Sequence, residues 1–384
     1  LAPRMALCAA LPFVAAGPVT AGELLRVLGA SVEPLLYVLL LWALRRRPLW
    51  FGAVFCIAWL HREFAVFALP PLAALLWFDT RRIAWASLAR AGASAGAVWG
   101  TLDLLKRFAP IGPPGGADAA TAHASLAQEV VQVEKVLSFT LGTWMGRLHV
   151  LLTQGLPDQW GLRPIALVDA GVWSTHQAGS IVAGAALLVA LTVALGCLGF
   201  AWRRLDWRAL ALPLFLAVVG LETIAAYGLH GGVAVESRTE PSYVLLALLL
   251  PIAVLGAFLL VETRRALRWV VVSLVVLWAA GMTVDNARLA REFVVSPPPS
   301  EHRELTDYLV SHHVKYARAI YWDSYRVTFL SRERVIVAST DSVRIETYQS
   351  KVSQAGLNAV DVVRQPCGEG ARVSAWCVID PLHR

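Results

Sequence analysis

Residues 243–262 read YVLLALLLPIAVLGAFLLVE, and only the last of them carries a charge. About 20 consecutive apolar residues form a helix long enough to cross a bilayer, and such a helix satisfies its backbone hydrogen bonds internally. The chain as a whole is similar, since 57% of its 384 residues are hydrophobic and 16% are charged. Soluble domains contain about 45–50% apolar and about 25% charged residues. The composition, with a mean hydropathy of +0.58, therefore excludes an ordinary cytosolic protein.

Seven other apolar runs are candidates for membrane spans. They cover residues 5–16, 27–44, 49–78, 87–105, 180–200, 209–228 and 267–284. The run 49–78 is too long for one helix, and it is interrupted by His61-Arg62-Glu63 and by Pro70-Pro71. We therefore predict two short helices there, 49–62 and 64–78, which form a hairpin. The run 5–16 is short, as expected of a truncated or interfacial piece, and the total is nine spans.

Clusters of basic residues orient these spans. The clusters are Arg45-Arg46-Arg47, Arg81-Arg82, Arg203-Arg204 with Arg208, and Arg264-Arg265 with Arg268. Short loops rich in Lys and Arg stay in the cytoplasm. All four clusters fall on one side if the hairpin counts as two crossings and every other run as one. This alternation places three regions outside: a loop of about 106–179, a short loop of 229–242, and everything from about Asp285 onward.

The last hundred residues differ from the rest in charge and in composition. Residues 285–384 hold 13 Lys and Arg against 12 Asp and Glu, whereas residues 1–284 hold 21 against 15. The basic excess lies in the apolar part, where it indicates membrane orientation and not nucleic-acid binding. Ser296-Pro297-Pro298-Pro299-Ser300 has the composition of a linker.

The segment after this linker mixes a helical pattern with short strand patterns. Ser300 precedes a predicted capped helix over 301–314, with apolar and aromatic residues at helical spacing. Strands are predicted at residues 317–322, 334–338, 360–363 and 373–379. We therefore expect a mainly α protein. It consists of a polytopic transmembrane helical bundle, residues 1–284, and a small C-terminal extracytoplasmic α/β domain, residues 285–384.

The five cysteines fall into two groups. Cys8, Cys56 and Cys197 lie in apolar runs and are predicted to be buried packing residues. Cys367 and Cys377 flank a turn-like Gly368-Glu369-Gly370 and a predicted strand. Outside a bacterial-type membrane these two cysteines could pair as a disulfide. The alternative is two unpaired thiols in a hairpin, and the sequence leaves both open.

Several short motifs carry no clear catalytic signal. Gly92-Ala93-Ser94-Ala95-Gly96 matches the hydrolase pattern G-x-S-x-G, but that motif needs a strand before it, and here it lies in a predicted membrane helix. Gly92, Gly96 and Gly100 share one face, and we interpret them as a site of close helix packing in lipid. His312-His313 is interpreted as two surface histidines. The sequence contains no nucleotide-binding glycine motif, no H-E-x-x-H and no Asp-x-Asp, and it calls for no metal or other cofactor.

Ionisable residues at membrane depth are the more informative signal, because charges there are costly and tend to mark function or tight pairing. They are Glu33, His61, Arg62, Glu63 and Glu222, with Glu236, Arg238 and Glu240 in the short outer loop. All lie near the face opposite the basic clusters. Arg binds phosphate oxygens with forked hydrogen bonds, and a carboxylate accepts a proton from an attacking hydroxyl. The set therefore suits a phosphate-bearing lipid and a hydroxyl acceptor. The alternative is that these residues pair with each other and fix helix ends.

Two stretches of the chain resemble the C-type (GT-C) membrane glycosyltransferases, the polyprenyl-phosphate-sugar enzymes related to protein mannosyltransferases and the lipid A aminoarabinose transferase. One stretch is Ser31-Val32-Glu33-Pro34-Leu35-Leu36-Tyr37 leading to Arg45-Arg46-Arg47-Pro48. The other runs from Phe51-Gly52-Ala53 through His61-Arg62-Glu63-Phe64 to Ala68-Leu69-Pro70. In that family a helix ending in basic residues precedes a short helix, a polar break and a Pro-bearing helix. The tail, with Tyr321-Trp322-Asp323-Ser324-Tyr325, resembles tails on bacterial members.

This resemblance implies a multi-pass cell-membrane enzyme of a bacterial envelope. It would move a sugar from a polyprenyl-phosphate donor to a lipid, glycan or protein acceptor at the outer face. Arg62, His61 or Arg238 would hold the donor phosphate, and Glu63 or Glu240 would orient hydroxyls. The family carries its catalytic acid on the first outer loop, and this chain begins after that region, so we expect a C-terminal portion that lacks it. The alternatives are a non-catalytic scaffold or sensor with an outer binding domain, and a transporter.

Overall fold

The computed structural model describes residues 3–24, 32–61, 63–82, 84–108, 141–161, 178–201, 206–229, 241–295, 300–341, 343, 345–364, 367 and 370–381. Contacts divide the chain into two compact units. The helical unit comprises Leu1–Ala109 and Val130–Ser296, and the α/β unit comprises Pro110–Glu129 and Pro297–Arg384. The boundary falls after Ser296, later than the expected 284, because the last helix of the helical unit continues to Val295.

The described part of the helical unit consists of α-helices joined by short helical segments of other types. The α-helices are α1 (Pro3–Val14), α2 (Pro18–Leu24), α3 (Glu33–Leu44), α4 (Pro48–His61), α5 (Leu69–Thr80), α6 (Trp85–Phe108), α7 (Leu141–Val150), α8 (Leu156–Gln159), α9 (Ala178–Ala201), α10 (Ala211–Leu229), α11 (Leu249–Val261) and α12 (Arg265–Val295). Segments of 3-10 helix cover Glu63–Ala68 and Pro241–Leu248, and a π-helical turn covers Leu151–Gly155.

Four described helices are long and apolar enough to cross a membrane, judged by length and composition. They are Val182–Ala201, Ala211–Gly228, Val244–Val261 and Arg265–Arg291. The prediction of nine spans is therefore corrected for the described residues. α3, α4 and Phe64–Thr80 are apolar but have only 10–17 residues, which is less than the about 20 that a span requires. α6 has 24 residues, but its small residues and its charged Arg90 and Asp103 make it too polar.

The polar break expected near residue 62 is present in the structure. α4 ends at His61, the 3-10 segment Glu63–Ala68 follows, and α5 begins at Leu69. Pro70 suits the first turn of α5, because the N–H that proline lacks has no partner within a helix at that position. α4 packs most closely on α6 and also on α3. Its main partner is therefore not α5, the other half of the predicted hairpin.

α4 and α6 approach each other most closely at Gly52. A Cβ atom on Gly52 would overlap the backbone of Ala91, including its carbonyl oxygen. Across the same contact, the Ser94 hydroxyl donates a hydrogen bond to the Leu49 carbonyl oxygen at 2.7 Å. Ser94 therefore lies within a helix and serves helix packing, which agrees with the interpretation of the G-x-S-x-G match as chance.

The predicted packing face of α6 is wrong as far as the described residues show. A Cβ atom at Gly92, Gly96 or Gly100 would meet no other atom within 4 Å. The close approach depends instead on a glycine of the partner helix, Gly52, and on Ala91 of α6. Spacing along one helix identifies a small-residue face, but it does not identify which face the neighbouring helix contacts.

Three apolar clusters stabilise the helical unit. The first joins α9, α11 and α12 around the buried side chains of Phe258 and Trp278. The second joins α3, α5, α10 and both 3-10 segments around Phe215. The third joins the segment 151–156 to Tyr227 and Val244. Buried apolar surface of this kind contributes roughly 25 cal/mol per Å².

The described part of the α/β unit contains five strands and three α-helices. They are α13 (Glu301–Ser311), β1 (Tyr316–Ala319), α14 (Tyr321–Leu330), β2 (Ile336–Ser339), α15 (Glu346–Ala355), β3 (Val360–Arg364), β4 (Ala371–Val373) and β5 (Trp376–Ile379). The sheet order is β2-β1-β3-β5-β4. β1 is parallel to β2 and β3, and β5 is antiparallel to β3 and β4. α13 and α14 cover one face of the sheet, and α15 covers the other.

Most of the expected elements of this unit are present. Ser300 caps α13, where its hydroxyl accepts a hydrogen bond from the Arg303 N–H at 3.4 Å. β1, β2 and β3 overlap the first three predicted strands. His312 and His313 are exposed, as predicted, but they lie after the end of α13 and not on the helix predicted over 301–314.

Two strand predictions needed correction. Tyr321 and Trp322 were expected to end the first strand, but they begin α14, and the Tyr321 N–H donates to Asp341 Oδ1 at 2.7 Å. Asp341 follows β2, so this helix start depends on a contact that local alternation cannot show. Residues 373–379 do not form one strand, because the chain turns at Ser374, which has a φ of 50°, between β4 and β5.

Replacing Gly52 with Ala is expected to destabilise the helical unit. The added Cβ would overlap the Ala91 backbone, which cannot move aside as a flexible side chain can. Overpacking of this kind costs about 1–3 kcal/mol. The unfolding temperature of the full chain in detergent should therefore fall. Gly96→Ala is the matched control, since its Cβ meets nothing and Ala favours a helix by about 1 kcal/mol. An equal fall in both variants would contradict the assigned α4–α6 contact.

Candidate functional site

We infer from their contacts that α3 and α10 run in opposite directions, which relates the positions of their polar residues. The rings of Trp42 in α3 and Phe215 in α10 lie 5.0 Å apart, centroid to centroid. α3 also contacts the segment Pro241–Leu248. That segment begins beside the far part of α10, where Val244 packs with Tyr227. The start of α3 and the end of α10 therefore lie toward the same end of the helical unit.

Three residues chosen from the sequence lie toward this end. At 1.5 Å per residue, Glu222 lies about 10 Å from Phe215 along α10. In the same direction along α3, Glu33 lies about 13 Å from Trp42. His61 is the last residue of α4 and contacts Tyr37 of α3. We name this region the polar end of the helical unit, defined by Glu33, Tyr37, His61 and Glu222.

His61 and Tyr37 make the direct contact of the polar end. The Tyr37 hydroxyl lies 3.1 Å from His61 Nδ1, and the two rings meet edge to face with centroids 5.9 Å apart. When the hydroxyl donates to Nδ1, the proton of a neutral imidazole lies on Nε2, which is then a hydrogen-bond donor. His61 is exposed. The pair can therefore present an oriented N–H group to a ligand at the end of α4.

Glu222 places a carboxylate against apolar helices. It lies on the stripe of α10 that also carries Phe215 and Val219, both fully buried against α3 and α5. Its Oε2 atom is buried and has no hydrogen-bond partner among the described residues. A buried polar atom without a hydrogen-bond partner costs about 1–3 kcal/mol. The site therefore favours a donor beside Glu222, such as a bound hydroxyl group.

The other predicted site residues are not placed by the structure. Arg62, Glu236, Arg238 and Glu240 lie outside the described residues, and the side chain of Glu63 is also outside them. Tyr37 was not singled out in the sequence. Its position one helical turn after Glu33, on the same face, was the available signal.

Gln159 adds a buried amide at the same end. The side-chain Nε2 of Gln159 donates to the Val244 carbonyl oxygen at 3.0 Å. The backbone carbonyl oxygen of Gln159 accepts from the Thr20 hydroxyl at 2.6 Å. Its Oε1 is buried without a partner among the described residues. The sequence predicts this region as part of an outer loop of about 106–179. α7 and α8 are its described helical parts, and they bring Gln159 close to Val244.

At the opposite end of the helical unit, both oxygens of the Glu262 carboxylate accept hydrogen bonds. Glu262, directly after α11, accepts hydrogen bonds at 2.8–2.9 Å from the guanidinium and the backbone N–H of Arg264. The guanidinium hydrogen bonds lower the pKa of Glu262 to about 2, although its burial acts in the other direction. Arg264 belongs to one of the basic clusters used for orientation. The two ends of the unit therefore differ in how they satisfy a carboxylate.

Asp323 is the centre of a buried polar cluster in the α/β unit. Its Oδ1 lies 3.0 Å from His302 Nε2 and 3.3 Å from a terminal nitrogen of Arg364. Its Oδ2 accepts from Trp376 Nε1 at 3.0 Å and from Arg364 Nε at 3.4 Å. Asp323 itself is 1% exposed. The contacts join α14 to α13, β3 and β5.

These hydrogen bonds keep Asp323 ionised. Burial raises the pKa of Asp323, but the hydrogen bonds from His302, Arg364 and Trp376 outweigh it and hold the pKa well below its usual range. Asp323 and Arg364 lie at the carboxyl ends of β1 and β3, where open α/β sheets commonly bind ligands. Here the acceptor atoms of Asp323 are used to connect four elements of the unit. We therefore regard the cluster as structural.

The cluster around Asp323 cannot be predicted from local sequence, for a physical reason. His302, Arg364 and Trp376 are 21, 41 and 53 positions from Asp323. No local spacing connects them, and the burial of Asp323 depends on a helix that begins where a strand was expected. The quoted resemblance stretch includes Asp323 but assigned it no role.

A disulfide joins Cys367 to Cys377, with their Cα atoms 5.3 Å apart. The structure therefore has the first of the two alternatives that the sequence left open. The bond ties the chain after β3 to β5, one residue from Trp376. Of the other cysteines, Cys56 is buried and Cys197 is partly buried, and the side chain of Cys8 lies outside the described residues.

The described residues contain no group of three or more His, Cys, Asp or Glu side chains that could hold a metal ion. Comparison with family models, with curated proteins and with solved structures found no match for this chain. The function is therefore inferred from the geometry of the polar end and from the chemistry of its residues.

Replacing Asp323 with Asn is expected to loosen the α/β unit. The change keeps the shape but removes the charge that three neighbouring donors share, and breaking a buried pair costs about 3–5 kcal/mol. Hydrogen–deuterium exchange of β5 in the full chain should become faster. Asp361→Asn is the control, because the Asp361–Arg318 pair is about one-third exposed, and such pairs contribute about 0–1 kcal/mol.

The same variant allows a test by pH. Because folding lowers the pKa of Asp323, its stabilisation is complete above the ordinary value of about 3.9 and is lost as the pH falls below it. Protection of β5, corrected for intrinsic exchange, should decline below about pH 4 in the original chain. In the Asp323→Asn variant this part of the decline should be missing. Identical pH profiles would contradict the assigned role.

Proposed function

We propose that this chain belongs to a multi-pass membrane glycosyltransferase that moves a sugar from a polyprenyl-phosphate donor to a lipid, glycan or protein acceptor. The observation that carries this proposal is the buried Oε2 of Glu222, which has no hydrogen-bond partner among the described residues. A helical unit that served only as a scaffold has no need of such a group, since an apolar side chain would be less costly there. A bound hydroxyl group would supply the missing donor.

The polar end offers complementary groups for the two parts of a phosphosugar. Glu222 Oε2 and Gln159 Oε1 are acceptors for sugar hydroxyls. When the Tyr37 hydroxyl donates to Nδ1 of His61, Nε2 of the ring is a hydrogen-bond donor for a phosphate oxygen. Arg62 follows His61 in the sequence, and its guanidinium supplies a second, forked donor in this proposal. The carboxylate of Glu222 also suits proton transfer from an acceptor hydroxyl.

The surroundings of this end suit the polyprenyl part of the donor. Apolar side chains near it are exposed on both helices that meet at Tyr37 and His61. They are Leu36, Leu39 and Leu40 on α3, and Ile57, Trp59 and Leu60 on α4. Exposed apolar side chains are stable in the hydrocarbon core of a bilayer, where an isoprenoid chain would lie beside them. In this proposal the polar end faces the outer leaflet and the Arg264 end faces the cytoplasm.

Replacing Glu222 with Gln is expected to reduce transfer. The amide keeps the size of the carboxylate but loses the charge and half of the acceptor capacity. In membranes that contain the full-length protein, transfer of label from a polyprenyl-phosphate sugar should fall at least about tenfold, a modest loss for a group that accepts a proton. His61→Ala should also reduce transfer, because it removes a group that donates a hydrogen bond to the phosphate of the substrate.

Asp79→Asn is the matched control for this experiment. Asp79 is exposed near the end of α5, beside the Arg81-Arg82 cluster, and it takes no part in the polar end. Its replacement should leave transfer unchanged at equal protein levels. Transfer that survives Glu222→Gln at the level of Asp79→Asn would remove Glu222 from the site. Absence of any transfer by the unaltered protein would contradict the proposed activity.

The proposed orientation makes a separate prediction about the α/β unit. If the basic clusters are cytoplasmic, a reporter fused after Arg384 should be active only when it reaches the extracytoplasmic side. Alkaline phosphatase, which requires disulfides to fold, should be active in this position, and a fluorescent protein that requires the cytosol should be dark. The opposite pattern would contradict the orientation and, with it, the outward position of the polar end.

A further inference from the structure

The buried face of helix α14 is mostly polar, and two aromatic side chains lie on its exposed face. Its buried face carries Asp323, Ser324, Val327 and Thr328. Its exposed face carries the aromatic Trp322 and Phe329, which are 58% and 76% exposed. A helix that only covers a sheet places apolar residues inward and polar residues outward. The outward aromatics of α14 therefore need a separate explanation.

The exposed face of α14 is one continuous stripe. Trp322, Arg326 and Phe329 follow each other at intervals of four and three residues, which places them above one another on the helix surface. Ile345, which is also exposed, extends this surface, because its N–H donates to the Tyr325 hydroxyl at 3.2 Å. We call this surface the aromatic stripe, defined by Trp322, Arg326, Phe329 and Ile345.

Arginines lie within and directly after the part of the aromatic stripe on α14, and acidic residues lie near its Ile345 end. Arg326 lies within it and is exposed, and Arg332 and Arg334 are exposed directly after α14. Glu333 is the acidic residue among them, and it accepts a hydrogen bond from the Tyr348 hydroxyl at 2.7 Å. Aromatic rings combined with arginines are typical of surfaces that lie in the headgroup region of an anionic membrane.

The chain also limits how far this unit can lie from a membrane. The candidate span of α12 ends at Arg291, and Glu301 begins α13 ten positions later. An extended chain covers at most about 3.6 Å per residue, so this segment reaches no more than about 36 Å. A surface held within such a distance encounters the bilayer at high effective concentration, so weak contacts are sufficient to hold it there.

We propose that the aromatic stripe of α14 binds the headgroup region of the bilayer that α12 enters, with Trp322 and Phe329 inserted and Arg326 on lipid phosphate. The inference rests on the membrane placement in the proposed function, but not on the transfer reaction. It gives the α/β unit a role in holding a defined face toward the lipid surface. The occupant of the stripe is an anionic lipid surface, and a protein partner is a different outcome of the test.

Photo-crosslinking in the full chain tests this proposal. The photoreactive residue p-benzoylphenylalanine replaces Phe329, and the protein is reconstituted in vesicles of phosphatidylcholine and phosphatidylglycerol. Lipid adducts at this position are then counted by mass spectrometry. The same residue in place of Leu357, which is 66% exposed after α15 on the other layer, is the matched control. We expect the yield of lipid adducts to be about tenfold higher at position 329 than at position 357.

A third position separates this inference from the membrane placement. Leu195 is 54% exposed within the candidate span Val182–Ala201, so the photoreactive residue there reports insertion alone. Lipid adducts at 195 with none above the Leu357 level at 329 would overturn the docking proposal and leave the membrane placement intact. Adducts at 329 to this chain or to another copy, and not to lipid, would also overturn it.

The charge of the stripe is tested in the same system. Arg326→Gln should reduce lipid adducts at position 329 by about fivefold, the change expected for one basic residue near an anionic surface. Vesicles of phosphatidylcholine alone should give a similar reduction with the original chain. Lys351→Gln, an exposed position on α15, is the control and should change nothing. Equal adduct yields with and without phosphatidylglycerol would contradict the role of Arg326.

Discussion

The cost of taking a carboxylate out of water constrains both units of this protein. In the α/β unit, Asp323 is almost completely buried, and donors from α13, β3 and β5 surround it. In the helical unit, the carboxylate of Glu222 is partly buried, and one of its oxygens has no partner among the described residues. The first arrangement contributes to the stability of a fold. The second is costly by itself, and this cost is why a ligand is a physically reasonable explanation for it.

The helical unit separates its polar groups by position along the helices. The Arg264 end holds Glu262 in a close ion pair, and the polar end holds the Tyr37–His61 contact and the buried amide of Gln159. Between the two ends the helices bury apolar side chains such as Phe215 and Phe258. Interruptions of the α-helices by 3-10 segments, at Glu63–Ala68 and Pro241–Leu248, occur toward the polar end. Helix ends expose unsatisfied backbone groups, which add hydrogen-bonding capacity where the site is proposed.

The sequence predicts hydrophobic segments well and side-chain partners poorly. The run 243–262 and the breaks near His61 are properties of consecutive residues, so they can be read directly, although several helices fall short of a full span. The contact between Gly52 and Ala91 depends on which faces two helices present, and the stripe Gly92-Gly96-Gly100 gave the wrong face. Glu33, His61 and Glu222 were selected for their expected depth, and their role as a site stays a prediction. Gln159 and Asp323 were missed because their roles come from residues distant in the chain, and Tyr37 was missed although it lies one helical turn after Glu33.

The pattern of α14 follows from the same requirement that holds Asp323. The helix must turn Asp323 inward to meet His302, Arg364 and Trp376, and it must turn Thr328 inward because the Thr328 hydroxyl accepts from the Val337 N–H at 3.0 Å. With 3.6 residues per turn, these two positions fix the opposite face, and Trp322 and Phe329 occupy it. The packing that buries the inner face of α14 does not stabilise the aromatic side chains on its outer face. Their exposure therefore points to a contact outside the unit, and the basic residues beside them make an anionic lipid surface the chemically matched choice.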